Sequence, residues 1–197
     1  MKKLMLGLVL GLGILCVGKG QSPKILSLRE QAVVQDRWLK ERCQTLLPEL
    51  MRKEGIDMWL IIAREYNEDP VLRTMLPATW LSARRTTMLL VYDAGKDKAL
   101  EFLACARYDV GEVFKKAWDP EKEPDQWKRL AELIAERDPQ RIAINTSVNF
   151  GHADGLSAFH NQKLREALLP KYEKRLVSGE KLAVNWLEVR TLAELTV

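Results

Sequence analysis

The chain offers two histidines, His152 and His160, eight residues apart. That is not the i, i+4 pair of a zinc-binding HExxH helix. His152 can join Asp154 in a metal site, but the spacing brings no third or fourth ligand to the pair. The plainer reading is a loop histidine beside a helix N-cap at Asp154. Ser147, Ser157 and Ser178 read as loop or capping residues. There is no GxSxG elbow, no P-loop and no GxGxxG, and no Cys–His pair sits in a motif. Every nucleophilic triad needs an assembled base and orienter, so a complete catalytic apparatus is missing. Glu65, Glu68 and Asp69 do cluster, directly after an apolar run. Such a group can hold a cation or the amino group of a ligand; equally, it is a solvated loop whose Asp69-Pro70 begins a turn and helix. Arg64, Glu65, Tyr66 and Asn67 are the candidate substrate-binding residues, because they follow a buried strand at the sheet edge where α/β folds take ligands.

The elements that must position these residues follow from periodicity. Residues 27–54 read as helix, with Leu28, Val34, Trp38, Leu46, Leu50 and Met51 on one broad face. Pro48 should kink it or begin a new turn. Gly55 is a C′ stop, with Ile56 folding back beneath the last turn. The continuous apolar run 57–63 is a strand covered on both faces. Residues 86–92 and 98–104 form a hairpin about the Asp93–Asp97 turn. Pro124 opens a helix carrying Trp127, Leu130, Leu133 and Ile134, which ends at Asp138-Pro139. Residues 141–145 are a short strand. Asp154 caps a helix that stops before Pro170, residues 173–177 are the final strand, and Ser178 caps a last helix with Leu182, Trp186, Val189 and Ala193 on one side. The expected class is α/β, a mixed sheet flanked by helices. The last helix runs to Val197 without a stop signal, the pattern of a chain cut inside an element or of a helix that docks on something else. Its Trp186, Leu192 and Leu195 are the candidate interface residues.

Composition excludes more than it assigns. The 197 residues are 47% hydrophobic and 29% charged, ordinary for a globular domain. The formal charge of +4 falls to +1 without residues 1–20, which hold three lysines and no acid. A near-neutral chain exerts no general pull on nucleic acid, so Arg84-Arg85 beside Trp80 is not read as a nucleic-acid site. Trp80 and Trp118 lie in irregular segments and are candidates for a partner surface. Lys2 and Lys3, the 14 apolar residues 4–17, and Gly18 and Gly20 form a secretory signal pattern. The apolar stretch is shorter than a spanning helix requires. Export to the periplasm or medium is expected, with lipid attachment at Cys16 the lesser alternative. Cys43 and Cys105, each in an apolar neighbourhood, are expected to be buried free thiols rather than a bridge.

The order of pieces resembles a known family. A long helix ends in Glu54-Gly55-Ile56-Asp57, then comes Trp59-Leu60-Ile61-Ile62, then Arg64-Glu65-Tyr66-Asn67-Glu68-Asp69-Pro70, an apolar hairpin, and finally Leu187-Glu188-Val189-Arg190-Thr191 with Glu194-Leu195. This is similar to the amino-terminal domain of the creatinase, prolidase and Xaa-Pro aminopeptidase metallopeptidases. The resemblance spans residues 25–197, behind a signal peptide of residues 1–20. It implies a creatinase-type, ribonuclease-H-like amino-terminal domain that shapes the substrate pocket, helps form a homo-oligomer and precedes a pita-bread catalytic domain. Two divalent metals (Mn, Co or Zn) and their Asp, His and Glu ligands belong to that second domain, which is expected in cis or trans. No catalytic or metal-binding residue is therefore expected here, and a peptide is the expected substrate of the whole. Two other readings stand beside it. One is a stand-alone binding or dimerisation module of the same fold. The other is a metal-dependent nuclease using Asp57, Asp93 and Glu101, against which stands the expectation that Asp57 lies before its strand and Asp93 after another.

Overall fold

Helix formation begins where the sequence offers a reciprocal cap. Ser27 Oγ accepts the Glu30 N–H and the Glu30 carboxylate accepts the Ser27 N–H, a capping box that opens α1 (Leu28–Glu41). A computed structural model describes residues 25–196; residues 1–24, which include the expected leader of residues 1–20 with Cys16, and Val197 lie outside them. α1 continues through a wide π turn (Arg42–Leu46) into α2 (Leu47–Glu54). Pro48 accounts for the wide turn. In a straight α-helix its ring would meet the Gln44 carbonyl; here the Leu47 N–H reaches back to the Arg42 carbonyl instead. α1 buries none of its own residues, and Leu28 is exposed rather than part of a packed face. Gly55 ends α2 at φ +63°, with the Ile56 N–H bonded to the Met51 carbonyl and Ile56 buried. This is the expected Schellman stop.

The remaining elements are β1 (Met58–Arg64), α3 (Pro70–Met75), β2 (Thr86–Tyr92), β3 (Glu101–Ala104), β4 (Lys115–Lys116), α4 (Gln126–Arg137), β5 (Ile142–Ile144), α5 (Ala158–Ala167), α6 (Pro170–Glu173), β6 (Leu176–Ser178), α7 (Glu180–Glu188) and α8 (Leu192–Leu195). The six strands form one mixed sheet in the order β4-β3-β2-β1-β5-β6. β1 and β2 pair antiparallel over seven residues, β2 and β3 antiparallel, and β1–β5, β5–β6 and β3–β4 parallel. The chain is thus a mixed α/β sheet with helices on both faces.

The continuous apolar run of β1 now has its reason. Trp59, Ile61 and Ala63 enter a core with α2, α3 and α7; Met58, Leu60 and Ile62 enter a second core with α4, α5 and α6. Cys43 lies in the first core and Cys105 in the second, both as free thiols. Burial pushes each thiol up to about 12, so neither is a nucleophile at neutral pH.

Several element boundaries differ from the sequence reading. Asp125, not Pro124, opens α4: its carboxylate accepts the Trp127 and Lys128 N–H groups. Ser157, not Asp154, caps α5. The Asp154 carboxylate is occupied by the Ser147 N–H. Gly179, not Ser178, is the N-cap of α7. The last helix is two helices. α7 stops before Val189, and Thr191 starts α8 with a second capping box to Glu194. No helix among the described residues is long and apolar enough to cross a membrane.

Candidate functional site

Strand order reverses at β1: later strands were added on one side as β2–β4 and on the other as β5–β6. Ligand crevices in open α/β sheets lie at the carboxyl ends of strands flanking such a point. Here those ends are Arg64 of β1 and Ile144 of β5. The loops 65–69 and 145–157 leave from them, and the loop 76–85 arrives beside them at the amino end of the antiparallel β2.

The four predicted binding residues form a tight turn on this edge. The Asn67 N–H donates to the Arg64 carbonyl at 3.0 Å, and the Glu65 N–H donates to the Arg85 carbonyl at 2.7 Å. Tyr66 adopts φ +64° and is 85% exposed. A left-handed tyrosine costs about 1 kcal/mol or more in local strain and persists because the surroundings fix it. The fixing group is Glu68, whose Oε1 accepts the Tyr66 N–H at 2.9 Å and the Ala83 N–H at 3.0 Å. Arg64, Glu65, Tyr66 and Asn67 are all exposed.

The acidic cluster, by contrast, does not survive as a cation site. Glu68 is held by two backbone donors. Asp69 is 1% exposed and caps α3, its Oδ1 accepting the Val71 N–H at 2.7 Å and the Leu72 N–H at 3.2 Å. Its Oδ2 accepts from Asn145 Nδ2 at 2.9 Å, and Asn145 Oδ1 accepts from Trp59 Nε1 at 2.7 Å. This buried Trp59–Asn145–Asp69 relay joins the two loops at the reversal point. Gly155 packs so closely that a Cβ there would lie 2.1 Å from Asp69 Oδ2. Nothing in the sequence marks Asn145 beyond its place at the end of a strand, so the relay is legible only in three dimensions.

Burial raises the Asp69 pKa, and its hydrogen bonds only partly offset this. A raised folded-state pKa means that the native state holds its proton longer than the unfolded chain does. Stability is therefore expected to fall as pH climbs from about 3.8 through the elevated folded value, and then to level off. Urea titrations of the wild type and Asp69→Asn across that window check this. A stability difference between them that stays flat with pH would refute it.

Other candidates disperse. His160 is buried against Trp127 and Phe159, and burial, aided by Arg64, lowers its pKa, so it is neutral and packed. His152 is exposed in a short 3₁₀ turn. Asp57 and Asp93 do share an edge, contrary to expectation: β1 and β2 are antiparallel, so the start of one adjoins the end of the other, and the Asp93 N–H donates to the Asp57 carbonyl. Their carboxylates are nevertheless engaged. Asp57 accepts the Gln140 and Arg141 N–H groups, Asp93 pairs with Arg52 at 2.8 Å, and Glu101 pairs with Arg137. Among the described residues no three His, Cys, Asp or Glu side chains are grouped to hold a metal ion.

At the candidate interface the three residues part company. Trp186 is 1% exposed and donates its indole N–H to Thr74 Oγ1 at 2.7 Å, so it belongs to the core and presents no surface. Leu192 and Leu195 remain 81% and 67% exposed on α8. Trp80 and Trp118 are half-buried, each beneath an arginine: Arg84 lies 4.5 Å from the Trp80 ring centre and Arg107 5.6 Å from that of Trp118.

No family model matches the sequence, and no curated protein matches it. Solved structures do give likenesses. An Xaa-Pro dipeptidase from Bacillus anthracis is 14% identical with a TM-score of 0.46, over 84% of this chain and 38% of its own. The N-terminal domain of the cytoplasmic peptidase PepQ from Mycobacterium tuberculosis H37Rv is 13% identical with a TM-score of 0.43, over 78% of this chain and 98% of its own. The chain thus spans well under half the length of the dipeptidase.

Proposed function

We propose that this chain is the non-catalytic amino-terminal domain of an exported Xaa-Pro aminopeptidase-like metallopeptidase. In this reading it shapes the substrate pocket and contributes to a homo-oligomer, and a metal-binding pita-bread domain in cis or trans performs the hydrolysis. The observation that carries it is the turn 64–67. It presents exposed Arg64, Tyr66 and Asn67 side chains at the reversal point of the sheet, on a backbone held in place by Glu68. Arginine and asparagine there can meet the polar ends of a peptide, and Tyr66 can cover an apolar ring. The exposed Leu192 and Leu195 supply an apolar contact for self-association.

The test pairs two measurements on the purified chain. With Mn²⁺, Co²⁺ or Zn²⁺ it should release no proline-containing product from Xaa-Pro dipeptides, and metal-dependent turnover that co-purifies with the chain would overturn the non-catalytic role. Light scattering should show a concentration-dependent oligomer that the double change Leu192→Asp, Leu195→Asp dissolves. A wild-type monomer at all concentrations would remove the oligomer from the proposal.

A further inference from the structure

Between the amino end of β2 and the carboxyl end of β3 lies a cavity of about 480 Å³. Its walls include Arg84, Arg85, Arg107, Tyr108, Trp118 and Gln126, and no Asp or Glu lines it. Elsewhere in the fold several arginines pair with carboxylates: Arg52 with Asp93, Arg137 with Glu101, Arg175 with Asp138. Here two of the three guanidiniums lie on aromatic faces. Arg84 lies over Trp80 and, at 5.8 Å, over Tyr108, and Arg107 lies over Trp118. Stacking fixes a guanidinium plane without consuming its N–H donors, so the donors stay available to a ligand.

The floor is fixed as well. Gln126 Nε2 donates to the Thr86 carbonyl at 3.1 Å and the Cys105 carbonyl at 2.6 Å, tying α4 to both strands. The Tyr108 hydroxyl donates to the Arg84 carbonyl at 3.0 Å. Trp118 is held by its indole N–H on the Glu123 carbonyl. Arg85 sits at φ +52°, a left-handed position rare for a bulky residue. Glu65 lies in the adjoining hollow with Arg84 and Arg85, accepts the Arg85 backbone N–H at 3.4 Å, and is close enough to act electrostatically on the Tyr108 hydroxyl.

We infer that the cavity formed by Arg84, Arg85 and Arg107 is a binding site for a dianionic phosphate group, of the kind carried by a small phosphate monoester with an aromatic substituent. Arg84, Arg85 and Arg107 are exposed residues lining one hollow, and like charges grouped in this way repel one another. A single carboxylate would leave two of them uncompensated, whereas a phosphate dianion compensates two and offers acceptors to several planar donors at once. Tyr108 and Trp118 give the substituent an apolar wall. The site adjoins the turn 64–67, to which Arg85 is tied through Glu65, but a phosphate ligand forms no part of the peptidase-domain reading.

Isothermal titration of the 197-residue chain at low ionic strength, with inorganic phosphate, phenyl phosphate and benzoate, tests this. Phenyl phosphate and phosphate should bind saturably, phenyl phosphate the tighter, and benzoate about tenfold or more weaker than phenyl phosphate. Arg107→Gln and Arg84→Gln should each weaken phenyl phosphate about tenfold. Arg107→Lys, which keeps the charge but loses the planar fork, should weaken it less. Arg73→Gln, removing an exposed arginine on α3, should leave affinity within about twofold, since remote surface charges are screened. If Arg84→Gln disturbs folding through the lost Trp80 stack, Arg107→Gln with an unchanged circular dichroism spectrum decides. Three results would overturn the site: no saturable phosphate binding, benzoate binding as tightly as phenyl phosphate, or an Arg73→Gln loss equal to that of Arg107→Gln.

Discussion

Asn145→Ala is expected to destabilise the fold by about 3–5 kcal/mol, since it strands two buried polar groups at about 1–3 kcal/mol each and adds a small void. Trp59 Nε1 loses its only acceptor and Asp69 Oδ2 its donor, and both residues are fully buried. Asn145 does more than bond side chains. Its carbonyl accepts the Leu156 N–H at 3.0 Å, which places the far end of the loop 145–157. Urea denaturation of the single variant, and of Trp59→Phe and the double variant, gives the coupling between the two positions. A loss below about 1 kcal/mol for Asn145→Ala would show that water replaces the side chain without penalty, and the relay would not be what joins the loops.

The second large effect is expected at Arg42. The π turn delivers this arginine to the end of the chain's last two helices, where it is 8% exposed. Its guanidinium donates to the Trp186 carbonyl, to the Val189 carbonyl at 2.7 Å and to both Glu194 oxygens at 3.0–3.1 Å, and lies 4.4 Å from the Trp186 ring centre. Arg42→Met therefore removes a largely buried ion pair and two C-terminal carbonyl partners at once. The expected loss is about 3–5 kcal/mol, the range for breaking one side of a buried pair. Burial pushes the Glu194 carboxyl up, but the Thr191 N–H and the arginine outweigh it and hold the carboxyl below its usual value. The Arg42–Glu194 contribution is thus present above about pH 4.5 and fades as pH falls through the depressed folded value. Thermal melts of wild type and Arg42→Met, with hydrogen exchange of residues 189–196, test both points. Unchanged exchange in that segment would mean that α8 is held by its own capping box alone.

Local signals and their failures divide along physical lines. Gly55-Ile56, the apolar run of β1 and the hairpin were readable because each is dictated by residues adjacent in sequence. The α7–α8 break was missed although its signal is local: Thr191 with Glu194 is a capping box, masked by an apolar spacing that continues smoothly through Val189. The choice of Ser157 over Asp154 as N-cap depended on Ser147, across the loop, taking the Asp154 carboxylate. The proximity of Asp57 and Asp93 required knowing that β1 and β2 run antiparallel. At the candidate site the exposed turn 64–67 lay where the sequence put it. That Asp69-Pro70 begins a helix was read from the sequence; the further ties of Glu68 to Ala83 and of Asp69 to Asn145 could not be, because those partners are distant along the chain.

Cys43 and Cys105 stand in separate cores, with the sheet between them. A bridge between them is therefore closed off by topology whatever the redox conditions. Their inertness also makes them clocks. A thiol-alkylating reagent can reach Cys43 only when the α2–α7 layer lifts, and Cys105 only when the α4–α5 layer does. Pulse alkylation read by mass thus times the opening of each face separately, and would tell whether the two layers come away from the sheet together or one before the other.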